Sequence, residues 1–295
     1  GADSVSQWVF LSRDDEKPPK GFAGETIDVP VRRIVCMSSS YVAFLEALGA
    51  DSTICAISGT GYIWSDKVRN RIAGGEIAEA GFDNSLNFEK LVALKPDVVF
   101  LYGLTGKNAV TDKLHELGLK TVYIGDYVEN NPLGRAEWIT VFGEFTGRRE
   151  LARTLFDSIS NEYNRAKALV SGVEKRPEVM LNAPWQDSWF VPGDRSYMVR
   201  LLEDAGGNYA CRGVDSDQSR PISTETAFVA ASQSDFWLSP GTATSLAELN
   251  AMNPRFGSIP PVRNENVYNN NARTTPEGGS DFWESGSAYP DRTLK

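Results

Sequence analysis

Glu89-Lys90-Leu91-Val92-Ala93-Leu94-Lys95-Pro96-Asp97-Val98-Val99-Phe100-Leu101 reads as a helix running into a strand. Leu91 and Leu94 sit at helical spacing, Pro96 ends the helix, and Val98 to Leu101 is an unbroken apolar run. Such a run, with no polar alternation, belongs to a strand covered on both faces, as in parallel βαβ units. Outward from it the same unit recurs. Residues 34–37 read as a strand, Ser38-Ser39-Ser40 offers hydroxyl caps, and 41–48 forms a helix closed by Gly49. Residues 53–57 and 121–124 are further strands, and a helix over 112–117 closes at Gly118.

The second half echoes the first. Residues 225–234, Asp235 and Phe236-Trp237-Leu238, ending at Gly241, repeat the order of 88–103, and Leu246-Ala247-Glu248-Leu249 repeats Leu114-His115-Glu116-Leu117. Strands are expected at 179–181, 189–191 and 267–268, and helices at 197–205, 224–231 and 246–252. Between the halves, residues 135–171 carry no strand pattern. After Gly147, Leu151, Leu155, Ile159, Tyr163, Ala166 and Leu169 recur at helical spacing, predicting one continuous helix over 148–171. The fold class is therefore α/β, with two Rossmann-like lobes joined by a single long backbone helix. The expected division is 1–134 for the first lobe with an amino-terminal extension, 135–176 for the helical linker, and 177–295 for the second lobe. Within the extension, 7–11 is read as a short edge strand.

Composition removes several classes of function. The 295 residues carry a net charge of −9, which disfavours a nucleic-acid partner because phosphate binding needs clustered Lys and Arg. The single histidine, His115, excludes any one-chain site built on two or more histidines, and it reads as a solvated helix residue. The three cysteines, Cys36, Cys55 and Cys211, show no CxxC spacing; Cys36 and Cys55 read as free and buried, with a disulfide left open. There is no GxxxxGK[ST], and Gly59-Thr60-Gly61 is too short for a dinucleotide loop. No catalytic residue, protein-held metal or intrinsic cofactor is expected. No run approaches the roughly 18–20 apolar residues of a membrane helix.

Several segments resemble the class III periplasmic substrate-binding proteins of ABC importers for iron–siderophore, haem or corrinoid ligands. They are Pro30-Val31-Arg32-Arg33-Ile34-Val35-Cys36, the 89–99 run above, Gly143-Glu144-Phe145-Thr146-Gly147-Arg148-Arg149-Glu150-Leu151-Ala152, Val191-Pro192-Gly193, Leu202-Glu203-Asp204-Ala205-Gly206-Gly207 and Phe282-Trp283-Glu284-Ser285-Gly286. The resemblance spans roughly residues 30–290. It implies a ligand cleft between two lobes, a membrane permease as partner, a monomeric receptor, and a periplasmic location, with a lipid anchor through a removed amino-terminal segment left open. It also implies an acidic residue on each lobe that docks to permease arginines. The usual first-lobe position falls on Ala43, so the docking pair is placed instead at Glu46 and Glu203, each three residues before a helix-ending glycine, Gly49 and Gly206.

In open α/β sheets, ligands sit beyond the carboxyl ends of the strands. The candidate ligand residues are therefore those that follow strands. Ser39 and Tyr41 follow the first, Tyr62 and Trp64 the second, and Tyr102 follows 98–101. Asp126-Tyr127 follows the fourth. In the second lobe they are Trp185, Arg220 and Arg273, whereas Trp189 reads as core. Aromatics with one or two arginines suit a bulky, flat or anionic metal chelate. An iron chelate, siderophore or haem, is the first expectation and a corrinoid the second. Haem would take its axial ligand from Tyr41, Tyr62 or Tyr102. A two-lobed α/β enzyme is the distant alternative.

Overall fold

The computed structural model describes residues 7–82, 85–103, 109–185, 188–213 and 215–295, the Trp185 side chain excepted. In chain order the elements are β1 (Val9–Ser12), β2 (Glu25–Asp28), β3 (Ile34–Cys36), α1 (Ser39–Ala47), β4 (Ile54–Ile57), α2 (Asp66–Ala73), β5 (Ala78–Glu79), α3 (Phe88–Leu94), β6 (Val98–Leu101), α4 (Ala109–Glu116) and β7 (Thr121–Tyr123). Then come α5 (Pro132–Thr146), α6 (Arg149–Leu169), β8 (Glu178–Leu181), β9 (Pro184–Trp185), β10 (Ser188–Val191), α7 (Tyr197–Asp204), β11 (Asn208–Tyr209), β12 (Arg220–Ser223), α8 (Thr224–Ser232) and β13 (Phe236–Leu238). The chain closes with α9 (Leu246–Met252), α10 (Pro260–Arg263), β14 (Val267–Tyr268), α11 (Asp281–Ala288) and α12 (Pro290–Leu294). Among these no helix is long and apolar enough to cross a membrane.

The chain divides into two compact units. One takes in the chain up to Val128, Arg135–Ile159 and Thr274–Tyr289; the other takes in Glu129–Gly134, Ser160–Arg273 and Pro290–Lys295. The first holds a five-stranded parallel sheet in the order β5-β4-β3-β6-β7. Every residue of β3, β4 and β6 is buried. Their side chains alternate between two cores: Ile34, Cys36 and Phe100 on one face, Val35, Val99 and Leu101 on the other. That is the reason these strands read as continuous apolar runs. On the first face, the ring of Phe142 from α5 packs 5.1 Å from Phe44 and 5.2 Å from Phe100.

The second unit holds a four-stranded parallel sheet, β11-β8-β13-β14, and a three-stranded antiparallel sheet, β12-β10-β9. Its core centres on Trp189 and Trp237, rings 5.3 Å apart, packed against Phe256. Their buried indole N–H groups donate to Leu181 O (3.1 Å) and Asn182 O (2.6 Å), so Trp189 is core as read from the sequence.

The echo between the halves has a physical cause. Asp97, just before β6, accepts from Arg32 N (2.7 Å) and Arg33 N (2.9 Å) where the chain enters β3. Asp235, just before β13, accepts from Glu178 N (2.9 Å) at the start of β8. Each aspartate satisfies the free N–H groups of the neighbouring strand entry.

Helix α6 is continuous across the region assigned to the long helix. The division of the chain differs from the expected one at two places. Arg135–Ile159 packs into the first unit, because Ile139, Phe142, Phe145 and Ala152 complete its core. Thr274–Tyr289, expected in the second lobe, also belongs to the first unit. There α11 lies on α1, with Gly286, Ser287 and Ala288 buried. The edge strand expected at 7–11 is β1, paired with β2. Strands β9 and β12 and helix α2 had no sequence-based expectation.

All three cysteines are free and buried. Cys36 and Cys55 belong to opposite faces of the sheet, so their side chains diverge and cannot meet without moving the backbone. The folded protein should therefore be inert to Ellman's reagent, and all three thiols should titrate once it is denatured without reductant. Fewer than three thiols in denaturant would contradict this assignment.

Candidate functional site

Strand order in the first unit reverses at β3, with β4 and β5 on one side and β6 and β7 on the other. Loops at the carboxyl edge of such a sheet are where an open α/β fold leaves space for a ligand. Four aromatic side chains stand on that edge: Tyr62 after β4 (43% exposed), Phe82 after β5 (52%), Tyr102 after β6 (43%) and Tyr127 after β7 (46%). The rings fall in two pairs on either side of β3, Phe82 with Tyr62 and Tyr102 with Tyr127, and burial in the core does not explain their exposed apolar surface.

The loop carrying Tyr62 is built by a carboxylate. At the end of β5, Glu79 accepts through Oε1 from Gly59 N (2.9 Å) and Gly81 N (2.8 Å). Through Oε2 it accepts from Thr60 N (2.7 Å) and Thr60 Oγ1 (2.8 Å). One side chain thus fixes both loops that present Tyr62 and Phe82, whose rings meet edge-on at 6.2 Å. Burial alone raises the Glu79 carboxyl, but these donors outweigh it and hold its pKa below the ordinary value. Gly59 must be glycine: its φ is +72°, and a Cβ there would stand 2.8 Å from the Tyr62 ring. The far end of the loop is held by a second carboxylate, Glu284 of α11, which accepts from Trp64 N (2.7 Å) and Ser65 N (3.0 Å). Trp64 is half-buried, with the Arg69 guanidinium 5.7 Å from its ring centroid.

The other first-unit candidates divide. Ser39 is half-buried in the first turn of α1, behind the cap residue Ser38. Tyr41 is corrected to core. It has no exposed surface, and its hydroxyl is 3.2 Å from Leu101 O and 3.3 Å from Ile124 O, so it cannot reach a ligand. One position into the helix beyond Ser40, its side chain turns onto Phe100 and Phe142. Asp126 is buried, which pushes its carboxyl up against the pull of the Ser40 hydroxyl and of Arg135. Arg135 Nε donates to Asp126 O (3.0 Å) and Nη2 to Tyr127 O (3.1 Å), fixing the turn that exposes Tyr127.

In the second unit, Arg220 opens β12 opposite Val191. Its Nε is buried with no hydrogen-bond partner among the described residues. A guanidinium in that condition calls for an anionic or carbonyl group. Trp185 pairs with Ser188 at the opposite end of β10, about 10 Å away at roughly 3.3 Å per residue, so these two positions are not together. The Trp185 side chain lies outside the described residues. Arg273 is exposed beyond β14. Of the docking pair, Glu46 is half-buried on α1, and Glu203 on α7 is held in an ion pair with Arg212.

Sequence reading missed Phe82, Glu79 and Glu284. Phe82 follows a strand of only two residues, too short to show a pattern, and the two carboxylates act through main-chain donors distant in sequence. Among the described residues no group of three or more His, Cys, Asp or Glu side chains could hold a metal ion. Replacing Glu79 with Ala should cost about 1–3 kcal/mol, the range for unmaking hydrogen bonds to a charged group. Because its pKa is lowered on folding, Glu79 supplies stability above the unfolded carboxylate pKa that is lost as pH falls through the folded value. Glu79→Gln should therefore lose less stability on acidification than wild type, measured by urea unfolding at pH 7 and pH 4. Parallel pH profiles would count against the clamp.

The comparisons with known proteins agree with this architecture. A family model described as periplasmic binding protein matches residues 34–274. An uncharacterized lipoprotein of Methanocaldococcus jannaschii is 26% identical over 307 residues, an alignment covering 99% of this chain and 72% of the relative. Among solved structures, a possible iron-binding, periplasmic solute-binding protein from Staphylococcus epidermidis superposes with a TM-score of 0.69 at 19% identity, covering 90% of this chain and 96% of that one. The periplasmic haem-binding protein HutB of Vibrio cholerae gives a TM-score of 0.68 at 18% identity, covering 89% and 98%. At such identities the solved structures speak to the fold alone, whereas the family model spans most of the chain. With its lobes of parallel sheet and continuous helix α6, this chain belongs to the periplasmic binding protein family.

Proposed function

We propose that the protein is an extracytoplasmic receptor that delivers an iron chelate, a siderophore complex or haem, to an ABC importer, binding it without turnover. The observation that carries this reading is the aromatic edge of the first unit, where Tyr62, Phe82, Tyr102 and Tyr127 each keep about half their surface in water. Flat conjugated ligands gain on such rings both apolar burial and stacking, roughly 0.5–1.5 kcal/mol per aromatic pair beyond area. A bare metal ion would gain nothing there. The names of similar proteins, a possible iron-binding protein and a haem-binding protein, support the chelate class, the family supports a periplasmic setting, and the relative named a lipoprotein supports a lipid anchor.

Within the second unit, the orphaned Nε of Arg220 is suited to an acidic substituent. For haem, Tyr62 and Tyr102 remain of the three expected axial candidates, since Tyr41 is spent in the core. Glu46 and Glu203 stay as the proposed permease-docking acids. Glu203 must exchange its Arg212 partner for a permease arginine, which an exposed ion pair permits at small cost.

Titration of tryptophan fluorescence with haemin, ferric siderophores and cobalamin should give saturable quenching with an iron chelate and no consumption of it. Saturation by cobalamin alone would move the assignment to a corrinoid receptor, and binding of a sugar or peptide instead would overturn it. Tyr102→Ala and Arg220→Gln should each weaken the bound chelate by about tenfold, ~1.4 kcal/mol, with an unchanged melting temperature. Glu46→Lys with Glu203→Lys should abolish uptake in a cell-based transport assay by a protein that still binds the chelate; normal transport would refute the docking pair.

A further inference from the structure

Glu284 is a buried acid that the binding reading leaves unused. It is 2% exposed, and its two oxygens take separate main-chain donors, Trp64 N at Oε2 (2.7 Å) and Ser65 N at Oε1 (3.0 Å). The segment leading to it is moulded onto the same loop. Thr275 and Gly279 close a turn, with Thr275 N donating to Gly279 O (2.8 Å) and Gly279 N to Thr275 Oγ1 (3.0 Å). That turn sets Gly279 against the main chain of Tyr62 so closely that a Cβ would stand 2.0 Å from Tyr62 O. The loop 59–65 is therefore strung between Glu79 at one end and Glu284, with its preceding turn, at the other.

We propose that Glu284 is a positioning residue that pins the loop bearing Tyr62 and Trp64, and that its ionisation sets how firmly the loop is seated. The charged groups acting on it are Asp281 from its own helix and Glu46 from α1; Asp66 and Lys67, which follow Ser65 in sequence, are paired with Arg69 and Asp51. Burial, opposed by the Trp64 and Ser65 N–H groups and reinforced by Asp281 and Glu46, pushes the Glu284 carboxyl up to about 7. Opening the loop hydrates the group and returns it toward its ordinary value. The pinned state thus binds the proton more tightly than the open one. By linkage, pinning is strongest while Glu284 is neutral and weakens as pH rises through about 7. Between pH 6 and pH 8 the open fraction should rise by up to about tenfold.

The test uses the ligand-free chain, so it does not depend on the identity of the ligand. Amide exchange of peptides covering 59–65, corrected for intrinsic rates, is measured at pH 6 and pH 8 with β6 as internal reference. Wild type should lose up to about tenfold of protection across this range. Glu284→Gln keeps one acceptor oxygen, as the neutral acid does, but cannot ionise when the loop opens, so its protection should not change with pH and should be at least that of wild type at pH 6. Gly279→Ala should loosen the loop at both values without touching the carboxylate, and it stands in if Glu284→Gln does not fold. Equal pH profiles for wild type and Glu284→Gln, or full protection in Gly279→Ala, would overturn the proposal. A second arm rests on the proposed reading of Tyr62 and Trp64 as ligand walls: haemin affinity should fall with rising pH in wild type and stay flat in Glu284→Gln. If haemin does not bind wild type, the receptor reading fails on that ligand while the exchange result still decides the role of Glu284.

Discussion

Main-chain N–H groups in the loop between β4 and α2 have no strand to pair with, and two glutamates satisfy them. Glu79 takes those of Gly59 and Thr60, and Glu284 those of Trp64 and Ser65. Buried or half-buried donors left unpaired cost about 1–3 kcal/mol each, so an unanchored loop at this edge would collapse or fray. Because the carboxylates hold the backbone, the side chains of Tyr62 and Phe82 are left free to face water. Rigidity of the backbone and exposure of the rings are thus two sides of one arrangement. A binding surface gains from it, because ordering is done before the ligand arrives.

Much of the fold was legible because its causes are local. The unbroken apolar runs of β3, β4 and β6 follow from burial on both sheet faces. The repeated aspartate before β6 and β13 follows from the need to satisfy a neighbouring strand entry. Helix α6 shows its period plainly because one face is apolar and the rest charged. What stayed hidden is long-range. Nothing in the order of residues says that 274–289 leaves the second unit to lay α11 on α1, since only the fit of Gly286, Ser287 and Ala288 against that helix decides it. Helix α2 carries only two large apolar residues, Val68 and Ile72, too few to announce a helix.

The candidate site was half legible for the same reason. Strand ends located Tyr62 and Tyr102 correctly on the exposed edge, because the rule that ligands meet the carboxyl ends of strands needs only strand positions. It could not separate Tyr41 from them, because one helical step turns that ring inward onto Phe100 and Phe142. It could not find Phe82 either, which depends on the two-residue strand β5 for its place. The arginine in β12 was visible as a residue type, but its orphaned Nε was not. Electrostatic function here comes from what surrounds a charge rather than from the charge itself.

In the proposed receptor, the aromatic edge of the first unit is the surface that receives the ligand. A crystal structure of the protein soaked with haemin tests this most directly. The macrocycle should lie in van der Waals contact, about 3.5–4 Å, with at least two of Tyr62, Phe82, Tyr102 and Tyr127. A well-ordered macrocycle bound elsewhere, with these four rings still in water, would contradict it.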